Sequence, residues 1–240
     1  METATTFDIV CLIHGDEYDW QYVEKLHSMI ERNFSFPFRF HVFTEPHRSV
    51  PDNMIRHDLI DWPGVSGRRK AWWYKMQMFN PAHGIAQILY FDLDVVITGS
   101  LDWIASCRRE HFWALKDFKY IWRPAWTGIN SSVMYWDVNR FQHVWAMFEQ
   151  RDINTLMRQY PGDQDFLSDV IDLQQTRYFD PDLIQSWRWQ VFDGGMDMKS
   201  RTWYQPNAGA IINEKTRIII FHGKPKPHQI EDPKIIKHWQ

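Results

Sequence analysis

Three strand-length apolar runs, Phe7 to Ile13, Phe38 to Phe43 and Ile85 to Phe91, constrain this chain more than any other feature. Each is too short for a helix and is bounded by turn residues, which is the signature of a buried strand. Between the first two, Asp19 to Arg32 sets Trp20, Val23, Leu26 and Ile30 at helical spacing and so predicts a helix with one apolar face. Between the second and third, a weak strand near Ile55 to Ile60 precedes a predicted helix from Arg68 to Phe79, closed by Asn80-Pro81. That β, α, β order predicts an α/β fold with a mostly parallel central sheet flanked by helices. Ligands then belong at the carboxyl ends of the strands.

The rest of the chain is denser in loops. Strands are predicted at Phe112 to Leu115, Ser132 to Trp136, Ala210 to Ile212 and Arg217 to Phe221, and helices at Val138 to about Gln150 and Asp163 to Leu173. Phe192 to Asn207 reads as a loop. No repeat or linker interrupts the 240 residues, so a single domain is expected, with a ligand-binding half over about 7–100, a second half over 101–228 and a tail over 229–240. An apolar content of 44% is enough for a sizeable core. The 27 basic against 30 acidic residues give no field to hold a polyanion, so nucleic acid is not an expected partner. No apolar run approaches the ~20 residues of a bilayer span, so no transmembrane segment is expected. Met1 to Thr6 lacks the basic and apolar regions of a signal peptide. Cys11 and Cys107 fit no metal or redox spacing, and a cytoplasmic location is expected.

The chemistry is concentrated in two motifs. Asp92-Leu93-Asp94 follows the most apolar strand, and in extended backbone the two carboxylates would project to one side. Two hard oxygen donors there suit Mn²⁺ or Mg²⁺, and a buried strand leading into two acids needs a cation or hydrogen bonds to offset the charge. At the other end, His222-Gly223-Lys224-Pro225-Lys226-Pro227 follows the last strand. His222 can complete a metal site, and Lys224 and Lys226 can neutralise phosphate. The bland alternatives are solvated strand-end carboxylates and a basic surface tail.

Leu89-Tyr90-Phe91-Asp92-Leu93-Asp94, Asn130-Ser131-Ser132-Val133-Met134, Gly162-Asp163-Gln164-Asp165 and His222-Gly223-Lys224-Pro225-Lys226-Pro227 together resemble the successive landmarks of GT-A fold nucleotide-sugar glycosyltransferases, in particular the glycogenin-like family 8. The resemblance covers residues 7 to about 228. It implies a Rossmann-like GT-A domain and a transferase that moves a sugar from a nucleoside-diphosphate sugar, with UDP-sugar favoured, to a carbohydrate or glycoconjugate acceptor with retention. It also implies that Asp92, Asp94 and His222 bind the metal, with Asp92 near the ribose and Lys226, with Lys224, on phosphate. Tyr18 would stack on the base, Lys75 would touch the donor, Asn130 would line the pocket, and Asp163 and Gln164 would lie beside the donor sugar as the catalytic pair. Two positions depart from the family pattern: His222 abuts Gly223, which puts the family's histidine position at Ile220, and Ser132 stands where the family commonly has Gly.

Each of these residues has a plainer reading. Tyr18 could pack at a helix entry, Lys75 could be solvated, and Asp163 could cap the helix that starts after Pro161-Gly162. Two other functions fit parts of the pattern: a haloacid-dehalogenase-type phosphatase using Asp92 as nucleophile and Asp94 as acid/base, and a non-catalytic sugar-binding module built on the 14 tryptophans. Trp122, Trp126, Trp136, Trp187, Trp189 and Trp203 are expected on the acceptor side, and Trp20, Trp72 and Trp73 in the core.

Overall fold

The computed structural model describes residues 5–62, 71–121, 123–191 and 211–240, together with the backbone of 196–197 and 202–203. The first strand, β1 (Phe7–Leu12), is buried along almost its whole length. It leads to helix α1 (Gln21–Asn33), which buries Tyr22, Val23, Leu26, Met29 and Ile30, the i, i+3, i+4 face that its sequence predicts. Strand β2 (Phe38–Thr44) then pairs parallel with β1, and β3 (Ile55–Asp58) parallel with β2.

Strand β4 (Gln87–Phe91) lies on the other side of β1, again parallel, and β5 (Val95–Ile97) follows after a turn. Strands β6 (Phe112–Lys116) and β7 (Ile129–Asp137) form an antiparallel pair, with β7 also antiparallel to β4. Four helices come next: α2 (Val138–Phe141), α3 (His143–Glu149), α4 (Ile153–Gln159) and α5 (Asp163–Val170). Strand β8 (Thr176–Tyr178) closes the main sheet parallel to β6. The resulting seven-stranded order is β3-β2-β1-β4-β7-β6-β8, mostly parallel at the β1 side.

Strand β9 (Ile184–Ser186), a hairpin of β10 (Met196–Asp197) and β11 (Thr202–Trp203), β12 (Ile218–Ile220) and helix α6 (Pro233–Ile236) complete the chain. Strands β5, β12 and β9 make a second, three-stranded sheet. Two large apolar clusters result, one between α1 and the second sheet, the other between the main sheet and α2, α3 and α5.

Several expectations need correction. The helix expected over 68–79 is present over 71–79 as a 3-10 helix rather than an α-helix, and residues 68–70 lie outside the described residues. Apolar content alone does not separate the two, and here residues 73 to 79 are all buried, so no polar face exists to report a 3.6-residue period. The helix expected over 138–150 breaks at Gln142, and the one from Asp163 ends at Val170. The three-residue strands β5, β8 and β9 and the helix α4 were not legible, being shorter than the window in which periodicity registers. Within the expected loop 192–207 the hairpin β10–β11 appears and the rest lies outside the described residues; Ile211 and Ile212 are not in a strand. The segment read as a tail is docked on α1: Ile235 is fully buried, Tyr22 and His228 share a hydrogen bond, and the Lys25 ammonium sits 3.6 Å from the centre of the Trp239 ring.

On the β1–β2–β3 edge, Asp8 accepts from Arg39 at 2.6 Å and 2.8 Å and pairs with His41 at 2.9 Å, while His41 and His57 share a hydrogen bond of 2.9 Å. Burial, reinforced by His41 and His83, holds the His57 imidazole down at about 4. The unfolded chain therefore binds a proton that the folded one rejects as pH falls from 6.5 towards about 4. The unfolding midpoint is expected to drop across that window, and His57→Gln to flatten the drop, as measured by urea titrations at a series of pH values.

Candidate active site

Strand β4 stops at Phe91 because Asp92-Leu93-Asp94 turns the chain out of the main sheet and into β5. The extended geometry expected for this triplet is thus replaced by a turn. The Asp92 N–H still donates to Ser132 O (2.8 Å), while the Asp94 carbonyl accepts from Phe221 N–H (3.0 Å), so the two acids are anchored to different sheets. Their charges nevertheless feel each other: burial raises the Asp94 pKa, Lys226 opposes that rise, and the Asp92 carboxylate adds to it.

Each carboxylate carries its own lysine. The Lys75 ammonium lies 2.7 Å from Asp92 and 3.6 Å from Asp163, and it donates to Ser131 Oγ at 3.0 Å. Burial pulls this ammonium down, but the Asp92 and Asp163 carboxylates outweigh it and hold its pKa above the ordinary value. Asp92 also accepts from the Tyr90 hydroxyl at 2.6 Å. On the far side, Lys226 donates to Asp94 at 2.5 Å and to the Tyr18 oxygen at 2.6 Å, and Tyr18 donates to Asp94 at 3.0 Å. Lys75 is therefore a buried ion-pair partner and not a solvated lysine.

Tyr18 has a role the sequence did not show. Its hydroxyl completes the Asp94–Lys226 pair, and its ring packs beside Tyr22 with centroids 4.8 Å apart.

Asp163 opens α5, but it does not cap it: Gly162 occupies the N-cap position. The Asp163 side chain instead accepts from Ser131 Oγ at 2.6 Å and faces Lys75. Burial raises its pKa against the pull of Lys75 and Ser131. Its neighbour Gln164 accepts from the Ser131 N–H at 3.2 Å, which fixes the amide oxygen and leaves the half-buried NH₂ end to point elsewhere. Ser131 is the residue that sequence reasoning missed. Its hydroxyl and N–H tie Lys75, Asp163 and Gln164 together, and its place between Asn130 and Ser132 in the cited motif was the available signal. Asn130 is buried and turns its Oδ1 onto the Ser132 N–H at 3.1 Å.

The C-terminal motif is only partly joined to this cluster. Lys226 reaches it, and Lys224 is exposed. His222 does not: its Nε2 shares a hydrogen bond of 2.7 Å with Ser186 Oγ, and its ring stacks on Phe118. Burial, helped by Arg188, drops its pKa to about 4, which keeps the imidazole neutral. Gly223 follows with φ +80, a left-handed conformation that favours glycine, and a Cβ there would strike the Arg188 guanidinium. Among the described residues no group of three Asp, Glu, His or Cys side chains is arranged around a single point. As to a divalent ion, Asp92 and Asp94 fit in donor type, being two hard carboxylates at the end of a sheet strand. A groove of about 590 Å³ lined by His27, Phe36, Phe38 and Ile55 lies near the start of β2, apart from these residues.

The tryptophans are redistributed. Trp136 is buried and stacked on Phe79, and Trp187 is buried and stacked on Phe221, so neither lines an open site. Trp189 is half-buried against the same core. Trp126 is folded onto its own loop by an N–H donated to Asp117 at 3.1 Å. Trp73 is core, as expected, Trp20 packs half-buried against the other apolar cluster, and Trp72 is 36% exposed. Trp122 and the side chain of Trp203 lie outside the described residues.

No family model matches the chain, and no curated protein matches it in sequence. Solved structures do. An active-site Gln-to-Glu variant of LgtC is similar with a TM-score of 0.62 at 14% identity, over 95% of this chain and 91% of that one. The galactosyltransferase LgtC in complex with donor and acceptor sugar analogues gives 0.58 at 13%, over 97% and 92%. The glycosyltransferase GlyE of Streptococcus pneumoniae TIGR4 gives 0.60 at 12%, over 92% of this chain and 56% of GlyE. At these identities the likeness is one of fold, and the chain has the GT-A fold.

Removing the ammonium from between the buried Asp163 carboxylate and the partly exposed Asp92 carboxylate is costly. Lys75→Met is expected to lower the unfolding free energy by about 3 kcal/mol. Lys75→Met combined with Asp163→Asn should recover part of that loss, since one of the stranded charges goes with it. Urea unfolding of the two variants beside the wild type measures both effects.

Proposed function

We propose that this chain is a glycosyltransferase that moves a sugar from a nucleoside-diphosphate sugar to a carbohydrate or glycoconjugate acceptor. The observation that carries the reading is the Lys75–Asp92–Asp163–Ser131 cluster at the carboxyl end of β4, joined by Gln164 and flanked by the Asp94–Lys226–Tyr18 group. Ligands bind at that end of an open α/β sheet. The GT-A fold adds the support of neighbours that are themselves glycosyltransferases.

Leaving-group departure concentrates negative charge on a diphosphate, and fixed positive groups stabilise it as the anomeric bond lengthens. Lys226 and the exposed Lys224 are the basic side chains for this task. Asp92 and Asp94 are the residues that would hold Mn²⁺ or Mg²⁺, whereas His222, on Ser186 and Phe118, stands apart from them. When bound, the ion supplies Lewis-acid stabilisation of the diphosphate. Lys75 orients Asp92 and Asp163 through its two ion pairs. Asp163 and Gln164 lie beside the donor sugar in this reading, and Ser131 fixes the Gln164 amide. An active-site glutamine is the residue altered in the LgtC variant, which supports a role for Gln164. The nucleotide base would rest near Tyr18 and the sugar near Asn130. UDP is the favoured nucleotide and retention the favoured outcome, both on the motif resemblance.

The phosphatase reading places its acidic motif on the first strand of the domain, whereas Asp92 here follows β4, the fourth strand of the chain.

Calorimetric titration with UDP and GDP in the presence of Mn²⁺ is expected to show saturable binding. Asp94→Ala is expected to reduce release of nucleoside diphosphate from the matching donor sugar by about 100-fold or more. A wild type that binds neither nucleotide with Mn²⁺ would overturn the reading.

A further inference from the structure

Trp72 is the second residue of the 3-10 helix that carries Lys75, and residues three apart on such a helix eclipse one another. Trp72 and Lys75 thus share one edge, separated by one turn, about 6 Å of rise. Their surroundings differ: the Lys75 side chain is buried in the carboxylate cluster, whereas Trp72 is the most exposed tryptophan among the described residues.

The indole is also held against the other half of the candidate site. A Cβ built on Gly162 would lie 3.5 Å from Trp72 Nε1 and 3.9 Å from its Cδ1. Gly162 is the residue immediately before Asp163 and Gln164. Its backbone is extended, with φ −160. The glycine is therefore not demanded by a left-handed backbone. A side chain in its place would meet the pyrrole edge of the indole at ordinary contact distance.

Neighbouring tryptophans in the same region spend their rings on packing. Trp73 stacks on Phe148, and Trp62 stacks on Tyr74 with centroids 5.4 Å apart. Trp72 makes no ring stack or hydrogen bond with another described side chain. A single exposed aromatic side chain carries no information by itself. Here it stands one turn from Lys75 and beside Gly162, the residue that precedes α5.

We infer that the open face of the Trp72 indole is a stacking platform for a pyranose ring of the acceptor, next to the Lys75–Asp163 cluster. The C–H-bearing face of a pyranose is apolar and carries partial positive charge, which complements the negative face of an indole. One helical turn is also comparable to the span of one sugar ring, so a sugar on Trp72 lies one unit away from the donor position. The inference rests on the glycosyltransferase reading for the word acceptor; the sugar contact itself does not.

The test is fluorine NMR on full-length protein labelled with fluorotryptophan, in which the Trp72 resonance is identified by its disappearance in Trp72→Phe. Methyl β-glucopyranoside and methyl β-galactopyranoside are titrated in, with glycerol as a control that has hydroxyls but no ring. At least one glycoside, and not glycerol, is expected to move the Trp72 resonance saturably. Trp72→Ala is expected to bind that glycoside about tenfold more weakly, and Trp72→Phe, which keeps an aromatic face, to fall between the two. An unmoved Trp72 resonance with both glycosides, or wild-type affinity in Trp72→Ala, overturns the proposal. UDP and GDP binding with Mn²⁺, followed in the same samples, should be equal in wild type and Trp72→Ala. Its absence from the wild type would sink the glycosyltransferase reading while leaving the sugar contact to stand or fall on its own titration.

Discussion

The Lys75 ammonium is the interaction on which the candidate site depends. Asp92 and Asp163 come from elements far apart in sequence, and the Asp163 carboxylate is almost wholly buried. Two carboxylates facing one low-dielectric volume would push each other towards protonation or push the elements apart. A single cation between them removes that conflict and binds three elements: the end of β4, the start of α5 and the 3-10 helix over 71–79. Ser131 on β7 completes the arrangement by donating to Asp163 and accepting from Lys75. Once those contacts are satisfied, the Gln164 side chain is anchored by its amide oxygen on the Ser131 N–H.

The second lysine, Lys226, performs a similar service for Asp94, but its support is different. It comes from the segment after β12, which is seated on α1 through His228, Ile235 and Trp239. The two acids of a single short motif are thus balanced by lysines from opposite ends of the chain. That division follows from the turn at Leu93 and Asp94, which hands the chain from the seven-stranded sheet to the three-stranded one.

Much of this was readable in the sequence and some was not. The strands β1, β2 and β4 and helix α1 were legible because each buries one set of regularly spaced side chains. The short strands of the second sheet carry too few residues for a period to register, and their partners are distant in sequence. The tryptophans show the same limit. Trp136 and Trp187 sit in loop-rich parts of the sequence yet are buried, and Trp72 sits in a buried-looking run yet is exposed. Residue type announced large aromatic surface, but not which side of it would meet solvent.

What the sequence by itself determined is the α/β alternation, the acidic pair after the most apolar strand and the order of the motifs that follow it. These are local properties, set by side-chain period and by the cost of burying charge along one element. The tertiary structure alone decided which charge meets which: Lys75 between Asp92 and Asp163, Lys226 on Asp94, and His222 turned to Ser186. Those pairings depend on strand order, on the antiparallel register of β4 with β7 and on the switch into the second sheet. They are fixed by contacts between residues tens to more than a hundred positions apart, and no local pattern encodes them.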